Sequence, residues 1–238
     1  MKSGKFLRVK SIGWVTLREM LRDKVLYNTL VFALFLFFIV VLAAELAVHL
    51  RERALLDFGM AAFSLASMIL ATLLGGSMLS REFERRTALV ILSKPVSRFE
   101  FLVGKYLGLC QVLFLNWMLL SVVYSLIYFL SGGSASETFF VAIIFVLLKS
   151  LLAGAVSLFF SSFTTTSLAV IFSFGTFLLG ESVSQIRFLA VKTENFLVSS
   201  ILNLVTYLIP QYEKFNLGLN LTYQLPITRM YIFSSILY

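Results

Sequence analysis

The chain has 238 residues, of which 59% are hydrophobic and 13% charged, and its net charge is +8. A soluble domain carries about twice that charged fraction, and a helix needs roughly 20 apolar residues to cross a bilayer. Composition therefore excludes an ordinary soluble domain and predicts an all-α, polytopic membrane helical bundle, with one transmembrane domain over residues 1–238. In such a protein the excess of basic residues sets the orientation in the membrane and contacts the lipid bilayer. We therefore predict no nucleic-acid partner.

The first predicted element is an amphipathic helix over residues 4–26. Its apolar residues recur at helical spacing and its charged residues fill the opposite face, as in a helix that lies in the headgroup region. The residues that define this interfacial helix are Trp14, Leu17, Arg18, Leu21 and Arg22. A solvated helix packed on a partner is the alternative. Because the helix runs almost directly into an apolar run, we favour an elbow at the membrane surface.

Five complete transmembrane helices are predicted from the apolar runs at residues 30–48, 59–80, 106–130, 139–160 and 168–183. A last apolar stretch, from Ile227 to Tyr238, has only about 12 residues, too few to span. We expect it to be the start of a sixth span.

Basic residues divide unequally between the predicted connections. Seven precede the first span and six lie after the second, whereas six are spread over the longer connections on the opposite side. The positive-inside rule therefore predicts a multi-pass protein of the cell membrane, the inner membrane of a bacterium, with a cytoplasmic N-terminus.

The third predicted extracytoplasmic connection covers residues 184–226. Within it, one helical face is apolar and Pro210 ends the pattern; the face consists of Leu197, Ile201, Leu204, Val205 and Leu208. A short, polar-dotted apolar helix of this kind is typical of an interfacial or re-entrant segment. A true extra span is the alternative, and it would invert the topology of everything after it.

No catalytic arrangement is visible in the sequence. His49 is the only histidine and Cys110 the only cysteine, so no zinc-type cluster is expected. Gly104-Lys105 is similar to the end of a phosphate-binding loop, but Phe99 and Tyr106 stand where that loop needs Gly and Ser/Thr. We therefore predict no catalytic residues, no metal site, no cofactor and no enzymatic activity in this chain.

Polar residues inside predicted spans are the next candidates, because charge in hydrocarbon is costly and often functional. Lys149 lies near the middle of the fourth span and Asn116 inside the third. Lys149 has a functional or partner-pairing role, or it snorkels, or it forms an ion pair that only fixes helix packing. Glu45 and Glu181 are expected to reach the interface.

Small residues suggest where helices approach closely. Gly104 and Gly108 form a G-x-x-x-G at the start of the third span, and Ser67, Ala71 and Gly75 form a stripe in the second. Such residues allow close packing of helices, within one chain or between copies.

A dense charged stretch over residues 81–98 separates the second and third spans. Phe83, Thr87, Val90 and Ile91 share one helical face, and Pro95 ends the helix because it lacks an N–H and restricts the preceding residue. A loop whose arginines obey the positive-inside rule would explain the charge. It would not explain the acidic residues, the helical register or the proline.

This stretch resembles the signature of ABC-2 type transporter permeases. The segments that carry the resemblance are Glu82-Phe-Glu-Arg-Arg-Thr87, Leu92-Ser-Lys-Pro-Val-Ser-Arg98 and Glu100-Phe-Leu-Val-Gly-Lys-Tyr-Leu-Gly108. The N-terminal helix is similar to the family's elbow helix, and residues 161–167 are similar to its polar turn between spans four and five. Within the family, the subgroup associated with multi-copper enzyme maturation is the most similar.

The resemblance implies six transmembrane helices per chain and a homodimer or close heterodimer of permeases. Two copies of a cytoplasmic ABC ATPase, which bind ATP and Mg, would dock below. The coupling helix that contacts the ATPase would carry Glu82, Phe83, Glu84, Arg85, Arg86 and Thr87. ATP-driven closure would push this helix, and the connection through Pro95 would pass the movement to the third span.

The function expected from this resemblance is the permease subunit of an ATP-driven exporter, without enzyme activity of its own. The alternative is a membrane scaffold or assembly factor that docks an ATPase without moving a solute. Spans two and five are expected to line the path at the dimer interface. These segments are mostly apolar, which favours a lipidic or hydrophobic cargo over a sugar or an ion.

Overall fold

A computed structural model describes residues 2–22, 25–46, 51–84, 97–134, 136–193, 195–218 and 221 of the chain. These residues are overwhelmingly helical and include no β-strand, so the predicted all-α class is confirmed for the part described. The predicted last apolar stretch, from Ile227 to Tyr238, lies outside it.

Nine helices lie within the described residues and are numbered in chain order. They are α1 Lys2–Arg22, α2 Val25–Leu46, α3 Arg51–Met78, α4 Ser80–Glu84, α5 Arg98–Leu130, α6 Glu137–Ser161, α7 Thr166–Glu181, α8 Val183–Lys192 and α9 Phe196–Leu208. A 3-10 turn follows at Tyr212–Phe215.

Three helical stretches are long and apolar enough to cross a membrane. They are Arg53–Glu82, which covers most of α3 and the start of α4, Arg98–Leu130, which is α5, and Glu137–Ser161, which is α6. The pair α7 and α8 makes a fourth if the two, which meet at an angle of 63°, count as one broken span. Helix α2 has 22 residues, of which Val31–Leu42 forms a shorter apolar helix by the same test. The described residues therefore give three to four spans, and the count of five remains a prediction.

Helix α5 begins well before the predicted third span, at Arg98 rather than Tyr106. Ser97 accepts a hydrogen bond from the Glu100 backbone N–H at 3.1 Å, and the Glu100 carboxylate accepts one from the Ser97 N–H at 3.2 Å. This reciprocal capping box satisfies two N–H groups at the start of the helix. The end of the charged stretch is therefore the first turn of a 33-residue helix.

Helix α7 stops short of a full span. Its 16 residues rise about 24 Å, less than the roughly 30 Å of hydrocarbon in a bilayer, and the 63° bend follows directly. The predicted fifth span, residues 168–183, thus ends in a bend at Ser182, directly before α8.

Helix α3 packs against α2, α5, α6 and α7, and therefore lies at the centre of the bundle. Phe63, Tyr124 and Phe139 are fully buried in its core, with ring centres 5.8 Å and 5.7 Å apart along the series. The predicted stripe of small residues also serves packing here, because a Cβ on Gly75 would lie 2.9 Å from the Gly154 carbonyl oxygen.

Helix α1 packs along α5 with part of its apolar face. Leu17 is buried and Leu21 half-buried, as expected, but Trp14 is 51% exposed. The guanidinium of Arg18 lies 5.2 Å from the centre of the Trp14 ring, and Arg22 is exposed. The contact with α5 needs small residues, so Gly13 and Thr16 occupy it rather than the larger tryptophan.

Helix α9 confirms the helix predicted from the apolar face between residues 197 and 208. That face is largely exposed, with Leu197, Ile201, Leu204 and Leu208 each at least 60% accessible. Its 13 residues rise about 20 Å, too little to cross the hydrocarbon alone, which disfavours the extra-span alternative.

Candidate functional site

Three charged side chains from three helices meet where α1, α4 and α5 come together. Lys105 of α5 is buried, and its ammonium group donates a hydrogen bond to the carboxylate of Glu82 in α4, which is buried too. The carboxylate of Glu19 in α1 lies 3.6 Å from the same nitrogen and is half exposed. Because buried charges are stable only when paired, this charge cluster fixes α4 against both α1 and α5.

The turn between α3 and α4 is held by polar groups from another part of the chain. The backbone N–H groups of Leu79 and Ser80 both donate to the Ser161 hydroxyl, at 3.1 and 3.0 Å. The Ser80 hydroxyl lies 2.7 Å from that of Thr166, and Ser161 is fully buried. Because a buried N–H without an acceptor costs about 1–3 kcal/mol, Ser161 stabilises the turn from which α4 starts.

The glycines at the start of α5 let α1 approach closely. A Cβ on Gly104 would lie 2.8 Å from the Cβ of Ile12, and one on Gly108 would lie 2.6 Å from the Cβ of Thr16. Gly13 faces them from α1, because its own Cβ would lie 3.3 Å from the Gly104 carbonyl oxygen. The close approach predicted from G-x-x-x-G is therefore confirmed, and it occurs within the chain.

Lys149 is buried and paired with a residue of another helix. Its ammonium group forms an ion pair with Glu181, the last residue of α7. The same nitrogen donates to the Ser64 hydroxyl of α3 at 3.1 Å and lies 5.3 Å from the centre of the Phe177 ring. Of the three readings of Lys149, the structure excludes snorkelling and gives an ion pair at the end of the bent span.

Glu181, which we expected at the membrane interface, pairs with Lys149. Its partner Lys149 lies 12 positions before Ser161, the end of α6, and hence about 18 Å along that helix. The carboxylate also accepts a hydrogen bond from the Asn216 amide at 3.3 Å. Because α7 is short, its last residue, Glu181, lies level with the middle of α6.

Asn116, the other predicted intramembrane polar residue, is also paired. The Thr29 hydroxyl of α2 donates to the side-chain oxygen of Asn116, and both residues are buried. One position later, the Trp117 indole N–H donates to the Ile143 carbonyl at 2.8 Å. These bonds tie α5 to α2 and α6, so Asn116 connects helices in the interior of the bundle.

A family model described as ABC-2 family transporter protein matches residues 12–225. The chain belongs to the ABC-2 transporter family. A search among curated proteins gives no match. Members of this family are membrane components of transporters and are not themselves catalytic, and they normally work with an ABC ATPase. Among the described residues, no group of three or more His, Cys, Asp or Glu side chains could hold a metal ion.

Within this ABC-2 family protein, the described residues reach into the predicted coupling segment from both sides. Helix α4 ends at Glu84, and α5 is capped at Ser97. Arg85, Arg86, Thr87 and Pro95 lie outside the described residues, so their predicted positions and the proline stop remain predictions. The charge cluster and the Ser161 hydroxyl thus hold the two flanks of this segment.

Four residues of the ABC-2 chain acquire roles that the sequence did not indicate: Glu19, Lys105, Ser161 and Glu181. For Lys105 the sequence does contain a usable signal, because Ser97-Arg-Phe-Glu100 is a capping-box sequence that marks the start of a helix. It starts a helix on which Lys105 shares the buried face with Phe101 and Gly108. The other three depend on contacts between distant parts of the chain.

Proposed function

We propose that this ABC-2 family protein is the permease subunit of an ATP-driven exporter, and that residues 81–98 are its coupling segment for a cytoplasmic ATPase. The observation that carries the proposal is the buried pair of Glu82 and Lys105, which joins this segment to the start of a 33-residue helix. A segment fixed in this way can transmit a push along a helix, whereas a loose loop would absorb it.

The same contacts define where the movement would go. Glu19 links the charge cluster to α1, and the hydrogen bonds of Leu79 and Ser80 to Ser161 link the start of α4 to the connection between α6 and α7. Displacement of the coupling segment would therefore act on α1, α5 and α7 together. Glu82 would serve as an inner anchor, and Arg85 and Arg86 would contact the ATPase.

The proposed assembly contains two permease copies and two ATPase copies, with ATP and Mg bound only by the ATPase. Each permease has α2, α3, α5, α6 and the bent α7–α8 pair as its five spans. The N-terminus lies on the cytoplasmic side of the inner membrane, and the cargo is hydrophobic. The narrower similarity to the multi-copper enzyme maturation subgroup is part of this proposal.

The test is site-specific photo-crosslinking in native membranes. A photo-reactive residue in place of Arg86 is expected to capture a protein with a phosphate-binding loop, whereas the same residue in place of the exposed Lys192 of α8 should not. The double variant Arg85→Glu, Arg86→Glu should lose both ATPase association and transport. If both survive the charge reversal, the coupling assignment is wrong.

A further inference from the structure

A groove of about 670 Å³ lies between α1 and the two helices α5 and α6. Its walls are almost entirely apolar, with Leu17 on α1, Leu107 and Leu115 on α5, and Leu147 and Leu151 on α6. Leu107 and Leu115 are also 42% and 38% exposed, so the groove opens on the outer surface of the bundle. In a membrane protein, that surface faces lipid.

The residues of α5 that line the groove extend from Leu107 to Leu115, and the basic residue of the groove, on α1, lies near the start of α5. Lys10 lines the groove next to Val9, whose carbonyl oxygen would be 3.2 Å from a Cβ on Gly104. From Gly104 to Leu115, α5 rises about 16 Å. The groove therefore has a cation at one end and an apolar channel that extends toward the middle of the bundle.

The depth of that cation follows from the charge cluster. Lys105, Glu82 and Glu19 lie at the same end of α5 as Lys10. The 33 residues of α5 rise about 50 Å, whereas the hydrocarbon core of a bilayer is roughly 30 Å thick. Helix α5 therefore extends beyond the hydrocarbon core. Charged groups collect in the headgroup region, so this end of the groove meets lipid headgroups, and its apolar part meets acyl chains.

We propose that the groove binds one acyl chain of an anionic phospholipid, with the phosphate beside Lys10. The apolar walls would contact the acyl chain, and the ammonium group of Lys10 would contact the phosphate. The ammonium group and the apolar walls follow one another along α5 in the same order as the headgroup and the acyl chain in a lipid. A bound lipid would fill the space between α1 and α6, which the side chains leave open. The proposal does not depend on the ATPase or on transport.

The single cysteine makes the site directly measurable, because Cys110 lines the groove and is half-buried. A small fluorophore is attached to Cys110, and the chain is reconstituted in zwitterionic vesicles that contain a minor fraction of acyl-brominated phospholipid. Bromine quenches only at short range. The brominated lipid is anionic in one sample and zwitterionic in the other, at equal mole fraction.

We expect anionic lipid to be enriched about fivefold over zwitterionic lipid at the fluorophore, the size of effect that one lysine near an anionic headgroup provides. Lys10→Gln should abolish the preference and Lys10→Arg should keep it. Arg22→Gln is the matched control, because Arg22 is an exposed positive charge on the same helix that does not line the groove. Unlabelled protein, analysed by native mass spectrometry, should retain a phospholipid that Lys10→Gln loses.

Two results would overturn the proposal. Equal quenching by both lipids in the wild type, with no retained phospholipid, would mean that the groove holds only bulk lipid. The second result uses a reference label elsewhere on α5, in the double variant Cys110→Ser, Met118→Cys, because Met118 is 53% exposed and does not line the groove. Quenching at Cys110 far below that of the reference label, together with self-quenching between labelled copies, would mean that a second copy covers the groove.

Discussion

Replacing Lys105 by methionine tests whether the charge cluster fixes the flanks of the coupling segment. The variant keeps the length of the side chain but takes the ammonium group of Lys105 away from the buried carboxylate of Glu82. Glu82 and Lys105 are 8% and 3% exposed, so solvent compensates little. Removing one partner of a buried pair costs about 3–5 kcal/mol, and at about 2–4 °C per kcal/mol for a chain of this size the melting temperature should fall by about 6–20 °C.

The assay is thermal unfolding in detergent micelles, followed by tryptophan fluorescence. The chain has two tryptophans, Trp14 on α1 and Trp117 on α5, and both helices adjoin the charge cluster. Lys105→Met combined with Glu82→Gln removes both charges and should recover most of the loss, because a neutral amide tolerates burial better than a carboxylate.

Glu19→Gln is the matched control, because it removes a half-exposed carboxylate from the same cluster. An exposed pair contributes about 0–1 kcal/mol, so this variant should melt within a few degrees of the wild type. If Lys105→Met lowers stability by no more than Glu19→Gln does, or if the double variant is no better than the single one, the buried pair does not anchor the segment.

Three further variants test neighbouring contacts by the same melting assay or by related ones. Ser161→Ala removes the acceptor of two buried N–H groups and should cost about 1–3 kcal/mol, whereas Ser162→Ala, at an exposed neighbour, should change stability by less than about 0.5 kcal/mol. Lys149→Met should sharply reduce the yield of monodisperse protein after extraction, because Glu181 is left without its counter-charge; adding Glu181→Gln should restore the yield. Gly108→Leu should make α1 more sensitive to limited proteolysis, because even a Cβ would lie 2.6 Å from α1; unchanged protection would contradict that contact.

The helical class and most helix ends follow from local signals in the sequence. Apolar runs of about 20 residues can only be satisfied in a bilayer as helices, and Ser136 caps α6 within three residues of the predicted start of its span. The start of α5 is also readable from its capping box, whereas the apolar run predicts a start at Tyr106. Hydropathy marks where a helix becomes apolar, and capping marks where it starts.

The bend after α7 and the ion pair of Lys149 were not predictable in this way. The predicted fifth span ends at Val183, close to the bend, but composition does not reveal that the chain continues as a second helix at an angle of 63°. The depth of Glu181 then depends on where α7 ends, and its pairing with Lys149 depends on the packing of α7 against α6. The exposure of Trp14 was not predictable either, because the glycines of α5, which lie far along the chain, decide which face of α1 is buried.

ATP-dependent solute movement in proteoliposomes tests the central claim most directly. The vesicles contain this chain with the ATPase captured by crosslinking, are loaded with a mixed lipid and metabolite extract, and are assayed by mass spectrometry before and after addition of ATP. We expect at least one hydrophobic solute to move only with ATP, and we expect the double variant Arg85→Glu, Arg86→Glu to abolish the movement. A stable complex that hydrolyses ATP while no solute moves would contradict the permease assignment and favour a membrane scaffold.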